Sequence, residues 1–170
     1  AKVQKNLIVA NFGGNPYSMP WVDEVPALLH CWYLGSEAGS ALVNVLTGKV
    51  NPSGKLPVTF AKRYEDYPYV KYGKEGYPGI DKQVHYKEDI YVGYRWFETF
   101  DKTKVLYPFG HGLSYTEFEY SDIKLSAESI KDTENLTVTC KVKNTDKNLS
   151  AFLSISDILV MRIQIGFHLF

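Results

Sequence analysis

Leu7-Ile8-Val9-Ala10-Asn11-Phe12 runs straight into Gly13-Gly14-Asn15-Pro16, and Ala27-Leu28-Leu29-His30-Cys31-Trp32-Tyr33 runs into Leu34-Gly35. Each is a short stretch, apolar almost throughout, that stops at turn-forming residues. That pattern marks a strand covered on both faces, as in parallel sheets. Ser36-Glu37-Ala38 then opens a segment in which Ala38, Ala41, Leu42, Val45 and Leu46 recur at helical spacing. The spacing predicts a helix with Ser36 as its N-cap and Gly48 as its stop. Two such strands and a helix in close succession predict an α/β fold built on a parallel sheet.

From Lys49 to Gly112 prolines and glycines are too closely spaced for a long helix. Loops with short strands are expected there, chiefly Pro57 to Phe60 and Ile90 to Phe97, with the many tyrosines as amphipathic cover. After Tyr115 the period changes. Phe118 to Leu125 and Leu136 to Lys143 alternate apolar with polar residues, the signature of half-buried antiparallel strands. A second, all-β domain is therefore expected to begin here, with boundaries at 1–116 and 117–170. Two strands do not make an independently stable sheet, so this domain reads as cut short.

Composition excludes several classes of function. The chain has 170 residues, 45% of them hydrophobic, which suffices for a core. Nineteen basic and nineteen acidic side chains balance to zero, leaving no basic face to hold a nucleic-acid backbone. Cys31 and Cys140 are too few for a disulfide framework and too far apart for a metal-ligand pair. Residues 151–170 are strongly apolar, but Asp157 and Arg162 fall near the middle. Each would cost about 2.5–3.5 kcal/mol in hydrocarbon, so no membrane span is expected. The first residue is Ala1 rather than Met, with no leader pattern behind it, and the sequence reads as an excerpt.

Candidate chemistry is sparse. Gly13-Gly14 follows a strand but lacks the G-x-G-x-x-G pattern and a Walker lysine, and Pro16 removes a backbone donor. Ser114 lacks the G-x-S-x-G spacing of a nucleophile elbow and reads as a turn or cap residue. His30, His85, His111 and His168 are isolated, so no metal site is expected. Glycosidic cleavage needs two facing carboxylates. Glu24, Glu37, Glu65, Asp66, Glu75, Glu88 and Asp89 are available, but spacing pairs none of them; Glu37 suits a first helical turn, and Glu88-Asp89 suit an ion pair with Arg95. Thirteen Tyr, nine Phe and three Trp invite sugar stacking. Trp32, Phe109 and Tyr115 read as packing, and an exposed subset among Tyr67 to Tyr77 as the place for a platform.

Five motifs in order carry a family resemblance: Pro16-Tyr17-Ser18-Met19-Pro20-Trp21; Ala27 to Gly39; Asn51-Pro52-Ser53-Gly54-Lys55-Leu56-Pro57-Val58-Thr59-Phe60; Val92-Gly93-Tyr94-Arg95; and Pro108-Phe109-Gly110-His111-Gly112-Leu113-Ser114-Tyr115-Thr116-Glu117-Phe118. Over about residues 6 to 145 the chain resembles glycoside hydrolase family 3, the β-glucosidases and β-xylosidases. The resemblance implies a large enzyme with a barrel, a middle α/β sandwich and a C-terminal fibronectin-III-like β-sandwich. This chain would supply the later part of the α/β sandwich, 1–116, and the first, truncated strands of the β-sandwich, 117–170. It further implies a retaining mechanism, with an aspartate nucleophile on the barrel and a glutamate acid/base shortly before Asn6.

Neither motif is matched within residues 1–170, so no residue of the chain is expected to be catalytic, and the chain alone is expected to be inactive. The implied substrate is a β-linked glucoside or oligosaccharide, with no cofactor and no metal. Family members are often secreted or periplasmic. The rival readings are a carbohydrate-binding module without catalysis and a nonfunctional truncation product. Two departures stand out: Asp89 where the family frequently has glycine, and an aberrant tail from about residue 146, expected to follow from a broken reading frame and to have no place in the fold.

Overall fold

The structure is a computed structural model that describes residues 3–131, 134–145 and 159–166. By its internal packing the chain divides into two compact units, residues 1–43 with 53–113, and residues 44–52 with the described residues from 114 onward.

In the first unit, β1 (Ile8–Asn11) and β2 (Ala27–His30) pair in parallel, Ile8 opposite Ala27 through Asn11 opposite His30, and the ladder continues with Cys31 N–H donating to Asn11 O at 2.7 Å. This is the parallel pair expected from the two apolar runs. The helix also forms, as α1 (Ala38–Leu46), of which Ala38–Val43 belong to the first unit and Asn44–Leu46 to the second, and Gly48 closes it by donating its N–H to Val45 O. Ser36 is not its cap. A 3-10 turn over Gly35–Glu37 already curls the chain from Leu34 onward, no side chain caps it, and Ser36 and Glu37 lie inside that turn.

Two-residue β3 (Phe60–Ala61) is all that remains of the strand expected over Pro57 to Phe60. It pairs antiparallel with β4 (Val105–Tyr107). A single helical turn, α2 (Gly73–Gly76), follows. The strand expected over Ile90 to Phe97 is instead a turn followed by helix α3 (Tyr94–Phe100). Its aromatic residues have high strand propensity, but tertiary packing overrides it: Trp96 meets Phe100 one turn on at a ring separation of 5.7 Å, and Phe97 is buried against Tyr67. Phe60, Ala61 and Phe97 form the centre of the core, and the Tyr67 hydroxyl accepts a hydrogen bond from Ala61 N–H at 3.1 Å.

In the second unit β5 (Phe118–Leu125) pairs antiparallel with β6 (Asn135–Asn144), as the alternation predicts. The register slips between Ser121 and Lys124, so that Asp122 and Ile123 together face Cys140; Asp122 sits at φ +53° and pairs with Lys141. A third strand, β7 (Leu159–Gly166), lies antiparallel on the other side of β6. It comes from the tail for which no place in the fold was expected. Leu159, Met161, Ile163 and Ile165 stand opposite Val142, Cys140, Val138 and Leu136, so the period-two pattern of the tail is in step with the apolar positions of β6. The rest of the tail, 146–158 and 167–170, lies outside the described residues.

Candidate functional site

Two of the five motifs meet in space. Within the first unit, Gly54-Lys55-Leu56 lies against Gly110-His111-Gly112. Leu56 N–H donates to His111 O at 2.8 Å, Gly110 N–H donates to Leu56 O at 2.7 Å, and Lys55 Nζ bonds Gly112 O. Gly112 is required by the approach itself: a Cβ there would overlap Gly54 O and lie 2.9 Å from Lys55 Cδ. His111 stacks on Tyr107 with ring centroids 4.9 Å apart.

A second pairing belongs to the second unit. Asn51 Nδ2 donates to Ser114 Oγ at 2.9 Å, and Tyr115 N–H donates to Asn51 Oδ1 at 2.9 Å. Ser114 Oγ accepts from Thr116 N–H at 3.2 Å, and the Tyr115 hydroxyl donates to Val45 O at 2.9 Å. Ser114 thus takes the turn position its sequence context indicated. These motifs hold one stretch of chain against another.

The remaining candidates are dispersed. Glu75 pairs with Lys87, which holds its carboxyl below the ordinary range. Burial pushes the Glu88 carboxyl up, with Lys71 working against that shift. Among the described residues no ion pair joins Glu88 or Asp89 to Arg95; Asp89 instead sits in a left-handed turn at φ +52°. Gly14 is the floor beneath Tyr33, where a Cβ would lie 3.1 Å from the ring's Cζ, so Gly13-Gly14 serves packing rather than a phosphate.

His30 ends β2 inside an aromatic cage. Its ring centroid lies 4.3 Å from Trp32, 5.2 Å from Phe60 and 6.0 Å from Tyr17. Both ring nitrogens and the Tyr17 hydroxyl are buried without hydrogen-bond partners, and Trp32 is held at φ +50°. Burial lowers the imidazole pKa and raises that of the Tyr17 phenol, so both are neutral near pH 7.

Two cavities lie in the first unit. One, of about 520 Å³, is a polar depression lined by Glu75, Ile80, Asp81, Gln83, His85 and Lys87. The other, of about 230 Å³, has aromatic walls from Tyr94 and Phe109. Of the tyrosines considered as a platform, Tyr67, Tyr69 and Tyr72 are half-buried, with Tyr67 and Tyr69 stacked on each other at 5.9 Å, and Tyr77 is exposed.

Against known families, the model for the glycosyl hydrolase family 3 C-terminal domain matches residues 1–115. The chain belongs to glycosyl hydrolase family 3. This family 3 chain is 49% identical over 146 residues to the β-glucosidase BoGH3A of Bacteroides ovatus, covering 86% of the chain and 19% of that protein. It is 45% identical over 148 residues to thermostable β-glucosidase B of Acetivibrio thermocellus, again covering 86% of the chain and 19% of the relative. Among solved structures, β-glucosidase 3B from Thermotoga neapolitana in complex with α-D-glucose matches with a TM-score of 0.72 at 43% identity, covering 82% of the chain and 19% of that structure. DesR, a β-glucosidase from Streptomyces venezuelae, matches with a TM-score of 0.76 at 34% identity over 97% of the chain and 23% of its own. That coverage carries the likeness in fold past residue 145. The chain spans about a fifth of the length of these curated relatives. Family membership explains why the two motif pairings dominate the sequence, and the mixed sheets and helices agree with the C-terminal region of the family.

Proposed function

We propose that these residues belong to a retaining β-glucosidase-like enzyme that cleaves β-linked glucosides or short oligosaccharides, and that they act in it as a support without a catalytic pair of their own. The observation that carries this reading is the pairing of Gly54–Leu56 with Gly110–Gly112, made by the segments that match the family. Its relatives are named as β-glucosidases. In this reading the first unit is the later part of the α/β sandwich, and the sheet β5–β6–β7 opens a fibronectin-III-like sandwich. The aspartate nucleophile and glutamate acid/base stand on polypeptide upstream of Asn6. The small core supports dependence on further polypeptide: among the described residues only Met19, Cys31, Phe60, Ala61, Pro68 and Phe97 are buried apolar side chains. No helix among the described residues is long and apolar enough to cross a membrane.

The test is hydrolysis of p-nitrophenyl β-D-glucoside by the 170-residue chain and by a longer protein carrying these residues after a family 3 barrel. The longer protein is expected to turn over and the chain alone is not. Turnover by the chain alone, or none by the longer protein, overturns the proposal.

A further inference from the structure

His30 occupies a place that suits only one of its two charge states. Three rings from three parts of the first unit close round it: Tyr17 from the β1–β2 connection, Trp32 from just past β2, and Phe60 from β3. Trp32 and Phe60 meet the imidazole at 84° and 81°, and meet each other at 88° with centroids 6.3 Å apart, so its walls are aromatic carbon. Phe60 is 1% exposed, which fixes that wall in the core. Both imidazole nitrogens and the Tyr17 hydroxyl are buried and unpartnered. Tyr17 is the one titratable side chain in ring contact with His30. Burial alone acts on the imidazole, with no influence from a carboxylate, lysine or arginine among the described residues.

Neutral, the ring sits there at the cost of unmade hydrogen bonds. Protonated, it carries a charge and two N–H donors. The Tyr17 oxygen can accept from one of them after the rings shift, and the other has no acceptor, so the cation is the costlier form to bury. Aromatic faces attract a cation, but by less than the hydration that a buried imidazolium gives up. Acid therefore favours opening the cage to water.

The movable wall is the β1–β2 connection. Tyr17 lies over Gly13, where an added Cβ would stand 3.3 Å from its Cε1, and two residues on Met19 is 2% exposed, its sulfur 3.8 Å from Asn11 Nδ2. Trp32 is held at φ +50°, an outlier for so bulky a residue, and strain of that kind persists only while its surroundings enforce it. Releasing the cage relaxes Trp32 and bares the carboxyl ends of β1 and β2, the end of a parallel pair at which open α/β sheets take their ligands. We propose that the cage is a pH-operated latch, which holds residues 12–21 closed while His30 is neutral and releases them when it gains a proton. Such a latch works whether or not the longer protein cleaves glucosides.

Hydrogen exchange read by mass spectrometry, with exposure times scaled for the intrinsic effect of pH, tests the latch on the 170-residue chain. From pH 6.5 to 5.5 exchange in residues 12–21 is expected to rise severalfold. The limit is about fivefold, for one imidazole of ordinary pKa that binds its proton only in the open state. Exchange in β5 and β6 is expected to stay level. His30→Phe, which fills the cage with a ring that cannot be protonated, should abolish the rise. Tyr17→Phe, which removes the hydroxyl and leaves the imidazole, should keep it, and so should His85→Ala, which changes an exposed imidazole outside the cage. No rise in the wild type, a rise that persists in His30→Phe, or a His30 that titrates by NMR at or above its ordinary value overturns the latch. Should the chain not melt cooperatively alone, the same peptides of the longer protein are read at the same two pH values, and the same outcomes decide.

Discussion

Replacing Gly112 by alanine tests whether the motif pairing holds the first unit together. The added Cβ would overlap Gly54 O, with Lys55 Cδ at 2.9 Å and the Gly54 carbonyl carbon at 3.3 Å. A lysine methylene can swing away, but a backbone oxygen cannot, so the strain falls on the segment pair. Forced overpacking of this kind costs about 1–3 kcal/mol. Separating the segments also weakens Leu56 N–H to His111 O or Gly110 N–H to Leu56 O, at about 1 kcal/mol for one bond. The sum, about 2–4 kcal/mol, is a large share of the roughly 5–15 kcal/mol that keeps a domain folded. At about 2–4 °C per kcal/mol for a chain of this length, Tm should fall by about 4–16 °C. Gly112 does not have a positive φ, so the loss would come from contact and not from backbone conformation. Gly54→Ala is the control, since its Cβ would meet nothing within 4 Å, and it should change stability by no more than about 0.5 kcal/mol. Urea unfolding followed by fluorescence measures both. A Gly112→Ala midpoint equal to wild type, or a Gly54→Ala loss of the same size, would refute the reasoning.

Asn51→Ala removes the acceptor for Tyr115 N–H and the donor to Ser114 Oγ, and should destabilise by about 1–3 kcal/mol in thermal melts, with Asn51→Asp losing less because Oδ1 remains. Because burial lowers the His30 pKa in the folded state, the unfolded state binds more protons just below about pH 6.5. Stability present at pH 7 should therefore decline as pH falls through 6.5, and His30→Phe should flatten that part of the Tm–pH curve; an unchanged slope would show that the imidazole plays no part. Asp89→Gly relieves a left-handed residue and should raise stability by about 0.5–1 kcal/mol, read as a higher urea midpoint.

The strands legible in sequence were those whose period was clean. Leu7 to Phe12 and Ala27 to Tyr33 are apolar almost throughout, and the structure pairs their cores, Ile8–Asn11 and Ala27–His30, in parallel, although both strands are only half-buried and Ile8 is exposed rather than covered on both faces. Phe118 to Leu125 alternates strongly enough to survive a bulge. Tyr94 to Phe100 misled because aromatic residues favour strands, whereas here their rings stack at one-turn spacing on a helix. β4 went unseen because Val105-Leu106-Tyr107 is too short to show a period. The alternation in Leu159 to Ile165 was present, but it belonged to a tail whose sequence had left the family pattern, and only the register opposite β6 gives it meaning. The smaller cavity could not have been read at all. Tyr94 and Phe109 are fifteen positions apart, and nothing local says that α3 and the loop after β4 face each other.

Why, then, is a chain that spans about a fifth of its curated relatives so easily assigned to a family of enzymes? A reacting carboxylate needs its environment, and many environments are compatible with one residue type, so a lone Glu or Asp identifies little. Backbone lying on backbone is less forgiving. At Gly112 any side chain meets Gly54 O, and at Asn51 one amide must accept from Tyr115 N–H while donating to Ser114 Oγ. Glutamine is longer by one methylene, aspartate can accept but not donate and serine lacks the second polar atom, so few residues other than asparagine meet both partners at that distance. The residues that identify the family are therefore those with the fewest physical substitutes. Their requirement is met inside the chain, whether or not a sugar is ever cleaved, and it follows that the motifs testify first to how the polypeptide is held.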